Sequence, residues 1–171
     1  MHMKKIVFII PLVIFSLMGY AQKIAFIDSE YILGNVPAYK AAQTQLDKIS
    51  EGWQKEIEEK FKEIDNLYKS YQVDKVLLSE EMRRKKEDEI IQKEKAAKDL
   101  QKKYFGPEGE LFKKRQELVK PIQDEIFKAV QDLATEAGYS GVFDTSEGTT
   151  IIYFNPKFDI SDDVLKKMGY K

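Results

Sequence analysis

The chain has 171 residues, 33% of them charged, with no cysteine, one histidine and a formal net charge of −1. Disulfides and cysteine-built zinc sites are therefore excluded, and a balance so near neutral gives no argument for nucleic acid. The single histidine is His2, so Ser-His-Asp and Cys-His catalysis have no histidine to use in the body of the chain.

Residues 1–21 read as a secretory signal peptide. Lys4 and Lys5 form a positive start, Ile6 to Met18 is apolar, and Gly19 and Ala21 place small residues at −3 and −1. The apolar stretch is shorter than the roughly 20 residues that span a bilayer. Cleavage after Ala21 and a periplasmic mature chain are expected, and the missing cysteine excludes a lipoprotein anchor. Without Lys4 and Lys5 the mature chain carries 26 basic and 29 acidic residues, close to −3. No P-loop, GxGxxG or EF-hand spacing is present, so no cofactor, metal or catalytic residue is expected. Glu56, Glu58 and Glu59 alternate with Lys55, Lys60 and Lys62 and read as a solvated helix face.

Lys23 to Asp28 is a short apolar run of strand length, apolar on both faces and so expected to be covered on both. Asp28 or Ser29 can cap a short helix through Leu33, closed by Gly34-Asn35. Residues 22–36 thus form the first part of a body. From Pro37 the period changes. Ala42, Leu46, Ile49, Trp53, Ile57, Phe61, Ile64, Tyr68 and Tyr71 recur at steps of three and four, the spacing of one helix face. No proline and one glycine, Gly52, lie between Tyr39 and Phe105. Residues 37–110 therefore read as a helical hairpin arm with its tip near 73–79. Ser79-Glu80-Glu81 starts the return helix with a cap and two acids. That helix is thin in apolar residues: Met82, Ile90, Ile91, Ala97, Leu100, Tyr104. A weakly held, mobile distal hairpin is expected, with partial exposure of Tyr68 and Tyr71.

Phe105-Gly-Pro-Glu-Gly109 should break the helix, and Gly106, Pro107 and Gly109 are hinge candidates. Residues 111–171 return to the body. A helical stripe runs from Leu111 to Ala137 through Pro121 and stops at Gly138. Gly141–Thr145 and Thr150–Phe154 read as a β-hairpin, and Ser161 as the cap of a last helix. The fold class is α+β, with a small sheet formed from strands at both chain ends and a long protruding hairpin. Three short strands make a small core with open edges, which several copies could share. Ile24, Phe26, Ile27, Val142, Phe143, Ile151 and Ile152 are the candidates for that shared body.

Lys23-Ile-Ala-Phe-Ile-Asp28, Val36-Pro-Ala-Tyr-Lys-Ala-Ala42, Gly141-Val-Phe-Asp-Thr145, Ile151-Ile-Tyr-Phe-Asn-Pro156 and Asp159-Ile-Ser-Asp-Asp-Val-Leu-Lys-Lys167 together resemble the Skp/OmpH family of periplasmic chaperones. The resemblance spans the whole mature chain. It implies a jellyfish-like homotrimer whose arms enclose unfolded outer-membrane proteins without ATP, and no enzyme activity. It also implies weak membrane or lipopolysaccharide contact through a basic patch, here Arg83, Arg84, Lys85 and Lys86 beside several acids. Trp53, Phe61, Tyr68 and Tyr71 are the client-contact candidates, competing with a role in the hairpin seam. The alternative is a coiled-coil spacer of the cell envelope, which would need sustained, well-packed heptads.

Overall fold

The computed structural model describes residues 23–146 and 151–170. The expected signal peptide, Gln22, the turn residues 147–149 and Thr150, where the sequence places the start of a third strand, lie outside the described residues. In chain order the elements are β1 (Lys23–Ile27), α1 (Ser29–Asn35), α2 (Pro37–Asp74), α3 (Glu80–Phe105), α4 (Glu110–Ala137), β2 (Tyr139–Asp144), a 3-10 turn (Pro156–Phe158) and α5 (Ser161–Lys167). The fold is α+β, mostly helix, with one two-stranded sheet from the two chain ends. Two compact units divide it: Leu33–Phe127, and the residues up to Ile32 with those from Lys128 onward. No helix among the described residues is long and apolar enough to cross a membrane.

In the helical unit, α2 starts where Pro37 fixes the first turn and Val36 before it is held extended. Its 38 residues make a rod of about 57 Å. The reversal to α3 is capped by Ser79, whose hydroxyl accepts from the Met82 N–H at 3.4 Å. Glu80 and Glu81 occupy the first turn, where the helix dipole favours acids. The break comes at Gly106–Gly109, and α4 then runs through Pro121 to Ala137. Gly138 ends it in the left-handed region at φ 69°.

In the other unit β1 and β2 pair in parallel, Ile24 opposite Gly141 and Ile27 opposite Asp144. A parallel pair needs a long crossover, and among the described residues every long helix lies between the two strands in the sequence. Past the strand ends, Thr145 donates to the Ile27 carbonyl through its N–H at 2.8 Å and its hydroxyl at 3.1 Å. Ala25, Ile27, Ile32, Ile160, Val164 and Leu165 are buried here.

Three expectations are corrected in this unit. Ile151–Phe154 joins no ladder among the described residues. The expected pairing with β2 does not form among the described residues, and Phe154 instead packs its ring on Phe26 at 4.9 Å between centroids; the second edge of β1 is closed by Asp159, with the Ile160 N–H donating to the Phe26 carbonyl at 2.9 Å. The sheet is covered on one face only: Ala25 and Ile27 are buried, whereas Ile24 is exposed and Phe26 half-buried against Phe143 and Phe154. Ile27 is thus buried within its own chain. Finally, Ser161 is no cap. Its buried hydroxyl donates to Asp159 at 2.6 Å and accepts the Asp28 N–H at 2.8 Å, tying α5 to the end of β1.

Asp28 settles the first cap, since its carboxylate accepts the Tyr31 N–H at 2.9 Å. Asp144 performs a related task at the end of β2. Burial pushes its carboxyl up, but hydrogen bonds from the hydroxyls and N–H groups of Ser29 and Ser146 outweigh burial and hold it below the usual carboxylate range.

Candidate functional site

The hairpin of α2 and α3 carries most of the candidate residues, and its seam decides which of them are available. Buried positions on α2 recur every seventh residue, at Ile57, Ile64 and Tyr71. On α3 the matching positions are Arg83, Ile90, Ala97 and Tyr104, flanked by Lys86, Lys93 and Leu100. This is a heptad seam, but three of its α3 positions are Arg or Lys. Ile64, Tyr71, Ile90 and Ala97 form one small buried cluster, with Leu67 and Leu78 against it.

Polar links complete the seam. The Tyr71 hydroxyl donates to Glu87 across the hairpin. Lys93 pairs with Glu63 at 2.7 Å, and the Tyr104 hydroxyl donates to Glu56 at 2.9 Å. The Arg83 guanidinium donates to the Lys75 carbonyl at 2.8 Å. These bonds shift the groups they join. The Glu87 carboxylate raises the Tyr71 hydroxyl and Glu56 raises Tyr104, while the Lys93 ammonium lowers Glu63 and is itself raised. At the other end of the hairpin Trp53 stacks on Tyr104 at 4.6 Å between centroids and meets the edge of Phe105.

The four aromatic candidates therefore separate into two pairs. Trp53 and Tyr71 belong to the seam, and Tyr71, expected to be partly exposed, is only 6% so. Its hydroxyl explains the difference, because a phenol is buried readily once its O–H has an acceptor. Phe61 and Tyr68 are 37% and 50% exposed. They lie four residues after Ile57 and Ile64, beside the seam and not in it. Seven residues apart, they sit on one side of α2 about 10 Å from each other along the axis. Ile57, Phe61 and Phe105 line an open groove of about 370 Å³ with Gln54, Glu58 and Gln101 at its rim. On another part of the hairpin Ala96, Ala97, Leu100 and Ile64 line a second groove of about 350 Å³, where α3 carries alanine.

The basic patch is largely neutralised. Arg83 pairs with Glu80 at 2.9 Å and Lys85 with Glu81 at 3.1 Å. Lys86 is half-buried at the seam, which leaves Arg84 as the one fully exposed member without an ion pair among the described residues. The hinge candidates stand at the Gly106–Gly109 break as expected, but the glycines there answer a steric need. A Cβ on Gly106 would meet the Lys102 carbonyl oxygen at 2.4 Å, and one on Gly109 the Tyr104 oxygen at 2.7 Å. Of the shared-body candidates, Ile24, Phe143 and Ile152 are exposed, and Val142 and Ile151 half-buried.

One group escaped the sequence reading: Val73, Val76 and Leu77 at the reversal are 78%, 84% and 87% exposed. The signal was present, since a turn built from Val-Leu-Leu without glycine, proline or asparagine lacks ordinary turn chemistry.

A long antiparallel helical hairpin with uncovered aromatics, and a two-stranded parallel sheet joining both chain ends, define a class of α+β protein built to present helical surface. The sequence profile described as Outer membrane protein (OmpH-like) matches residues 23–168. The chain belongs to this OmpH-like family. An uncharacterized protein of Aquifex aeolicus (strain VF5) is 31% identical over 150 residues, 88% of each chain. An OmpH-like protein of Caulobacter crescentus CB15, assigned as an outer membrane chaperone, shares the fold with a TM-score of 0.68 at 17% identity, covering 86% of this chain and 84% of its own.

Proposed function

We propose that the chain is an ATP-independent periplasmic holdase that keeps unfolded outer-membrane proteins from aggregating, held between the helical arms of a homotrimer. One observation carries the reading: the hairpin closes its seam with Trp53 and Tyr71 and leaves Tyr68 uncovered, together with Phe61 in an open apolar groove. A barrel precursor alternates apolar and polar residues along every strand, and its apolar set aggregates in water. Shallow grooves repeated on several arms bind such a chain through many weak contacts, and binding the unfolded form delays its collapse. Membership of the OmpH-like family supports this client class, as does the chaperone assignment of the Caulobacter protein. The signal-peptide reading supports the compartment. The exposed Ile24, Phe143 and Ile152 are the surface that other copies would cover in a trimer. The envelope-spacer alternative is disfavoured by the charges at seam positions 83, 86 and 93, because a spacer needs an apolar seam throughout.

The test is dilution of a urea-unfolded outer-membrane barrel with and without the purified chain, followed by light scattering. Suppression by a trimer at stoichiometric ratio is expected. A well-folded chain that leaves scattering unchanged at excess contradicts the proposal.

A further inference from the structure

We infer that the groove of Ile57, Phe61 and Phe105 takes an aromatic side chain from an extended polypeptide and selects segments with a lysine or arginine close beside that residue. The inference rests on the holdase reading and names the kind of client segment this groove holds. One wall is fixed before anything binds: Phe105 meets the edge of Trp53, which is itself stacked on Tyr104 at 4.6 Å. Phe61, 37% exposed, forms the other wall. At about 370 Å³ the groove stands at the low end of small-ligand sites, roughly 300–1,000 Å³, so it suits one side chain and a short stretch of backbone. An arriving ring gains stacked or edge contacts with both walls besides its burial. Each helix also brings an amide to the rim, Gln54 on α2 and Gln101 on α3. The Gln54 amide nitrogen makes only a 3.4 Å bond to Ser50, and the Gln101 side chain has no partner among the described residues. An amide both donates and accepts, so the pair matches the N–H and C=O groups of a chain that lacks its own strand partners. That favours an extended polypeptide over a wholly apolar ligand.

Charge sets the remaining preference. Glu58 is the one charged residue lining this groove. It forms no ion pair among the described residues, although Lys55 and Lys62 stand three and four positions away on the same helix. The acids one heptad further along both helices are answered. Asp65, seven residues after Glu58, pairs with Lys69 at 2.6 Å, and Glu94, seven before Gln101, lies 3.8 Å from Lys98. The second groove of the hairpin is balanced, with Glu56 and Glu63 against Lys60 and Lys93. Of the two grooves, only the aromatic one therefore has an uncompensated carboxylate at its rim. A client cation there completes an ion pair, and a client carboxylate is repelled. Successive residues of an extended chain advance about 3.4 Å, so a basic residue one or two positions from the bound ring reaches Glu58.

The test titrates the full chain into dye-labelled, serine-rich decapeptides carrying Tyr-Lys, Tyr-Glu or Ala-Lys pairs, read by fluorescence anisotropy. Tyr-Lys should bind about two- to fivefold tighter than Tyr-Glu, the worth of one exposed ion pair, with the difference shrinking as salt is raised. Glu58→Gln should bring these two peptides to equal affinity. Phe61→Ser should reduce Tyr-Lys binding to the level of Ala-Lys. Both side chains are exposed, so both variants fold, as unchanged circular dichroism melts will show. Equal affinity of the parent chain for Tyr-Lys and Tyr-Glu, a preference that survives Glu58→Gln, Ala-Lys bound as tightly as Tyr-Lys, or no binding of any peptide overturns the proposal. Barrel aggregation measured beside it separates the two readings. Suppression without the peptide preference contradicts the groove assignment alone, whereas the preference without suppression supports the groove and contradicts the holdase.

Discussion

Replacing Ile90 with alanine should open the hairpin from its tip while the sheet unit stays intact. Ile90 is 6% exposed and is one of only four side chains in the distal buried cluster. Removing three carbons from a buried isoleucine costs about 2–5 kcal/mol. A two-helix seam can close partly over the gap, which favours the low end, about 2 kcal/mol. At 1.4 kcal/mol per decade, local opening becomes about 30-fold more frequent. Amide hydrogen exchange read by mass spectrometry resolves this, because sub-global opening is reported segment by segment. Peptides covering residues 64–97 should exchange about 30-fold faster, and those covering β1 and β2 at the parent rate. Uniform acceleration along the chain would show that the hairpin does not open separately. No acceleration anywhere would show that the polar links, and not the apolar cluster, hold the distal arm.

Glu63 is lowered by its hydrogen bond and attraction to Lys93. A lowered carboxylate stabilises the fold above its unfolded value and loses that contribution as pH falls through the lowered one. The hairpin should therefore loosen in acid, below the ordinary glutamate value of about 4.3, and Glu63→Gln should flatten the acid limb of melting temperature against pH followed by circular dichroism. The glycines should respond in opposite directions. Gly52 is exposed in mid-helix with nothing within 4 Å of a built Cβ, so Gly52→Ala should raise stability by about 0.5–1 kcal/mol. Gly106→Ala forces a Cβ against the Lys102 oxygen and should lower stability by about 1–3 kcal/mol. Urea midpoints at constant slope check both. Asp144→Ala strips the N–H groups of Ser29 and Ser146 of their acceptor and should cost about 1–3 kcal/mol, read as faster exchange of the β1–β2 amides.

The helices were legible in the sequence because their signals are local. Pro37, Ser79, the Gly-Pro break and Gly138 each act within a turn or two of themselves, and each marks an element end. The thin α3 seam was legible for the same reason, since the period of Ile90, Ala97 and Tyr104 is carried by the chain itself. What depends on distant partners was not. Ile151–Phe154 has the composition of a strand, yet it forms no ladder with β2 among the described residues, and Phe154 packs instead on Phe26 of the distant β1. Tyr71 reads like Tyr68 in the sequence. The two are told apart by the seam register, which buries Tyr71 with Ile57 and Ile64, and by Glu87, which accepts from the Tyr71 hydroxyl across the hairpin. Ser161 has the look of a cap and serves a longer-range bond to Asp28. Of the four aromatic candidates, Phe61 and Tyr68 are the ones left exposed.

The most direct measurement is site-specific photo-crosslinking on the arm. A photoreactive residue is placed at Phe61, at Tyr68, or at Lys62 on the polar side of α2, and an unfolded outer-membrane barrel is added. Adducts are predicted at positions 61 and 68 and not at 62. Equal capture at Lys62, or none at Phe61 and Tyr68 while aggregation is still suppressed, would show that the uncovered aromatics of the hairpin are not what holds the client.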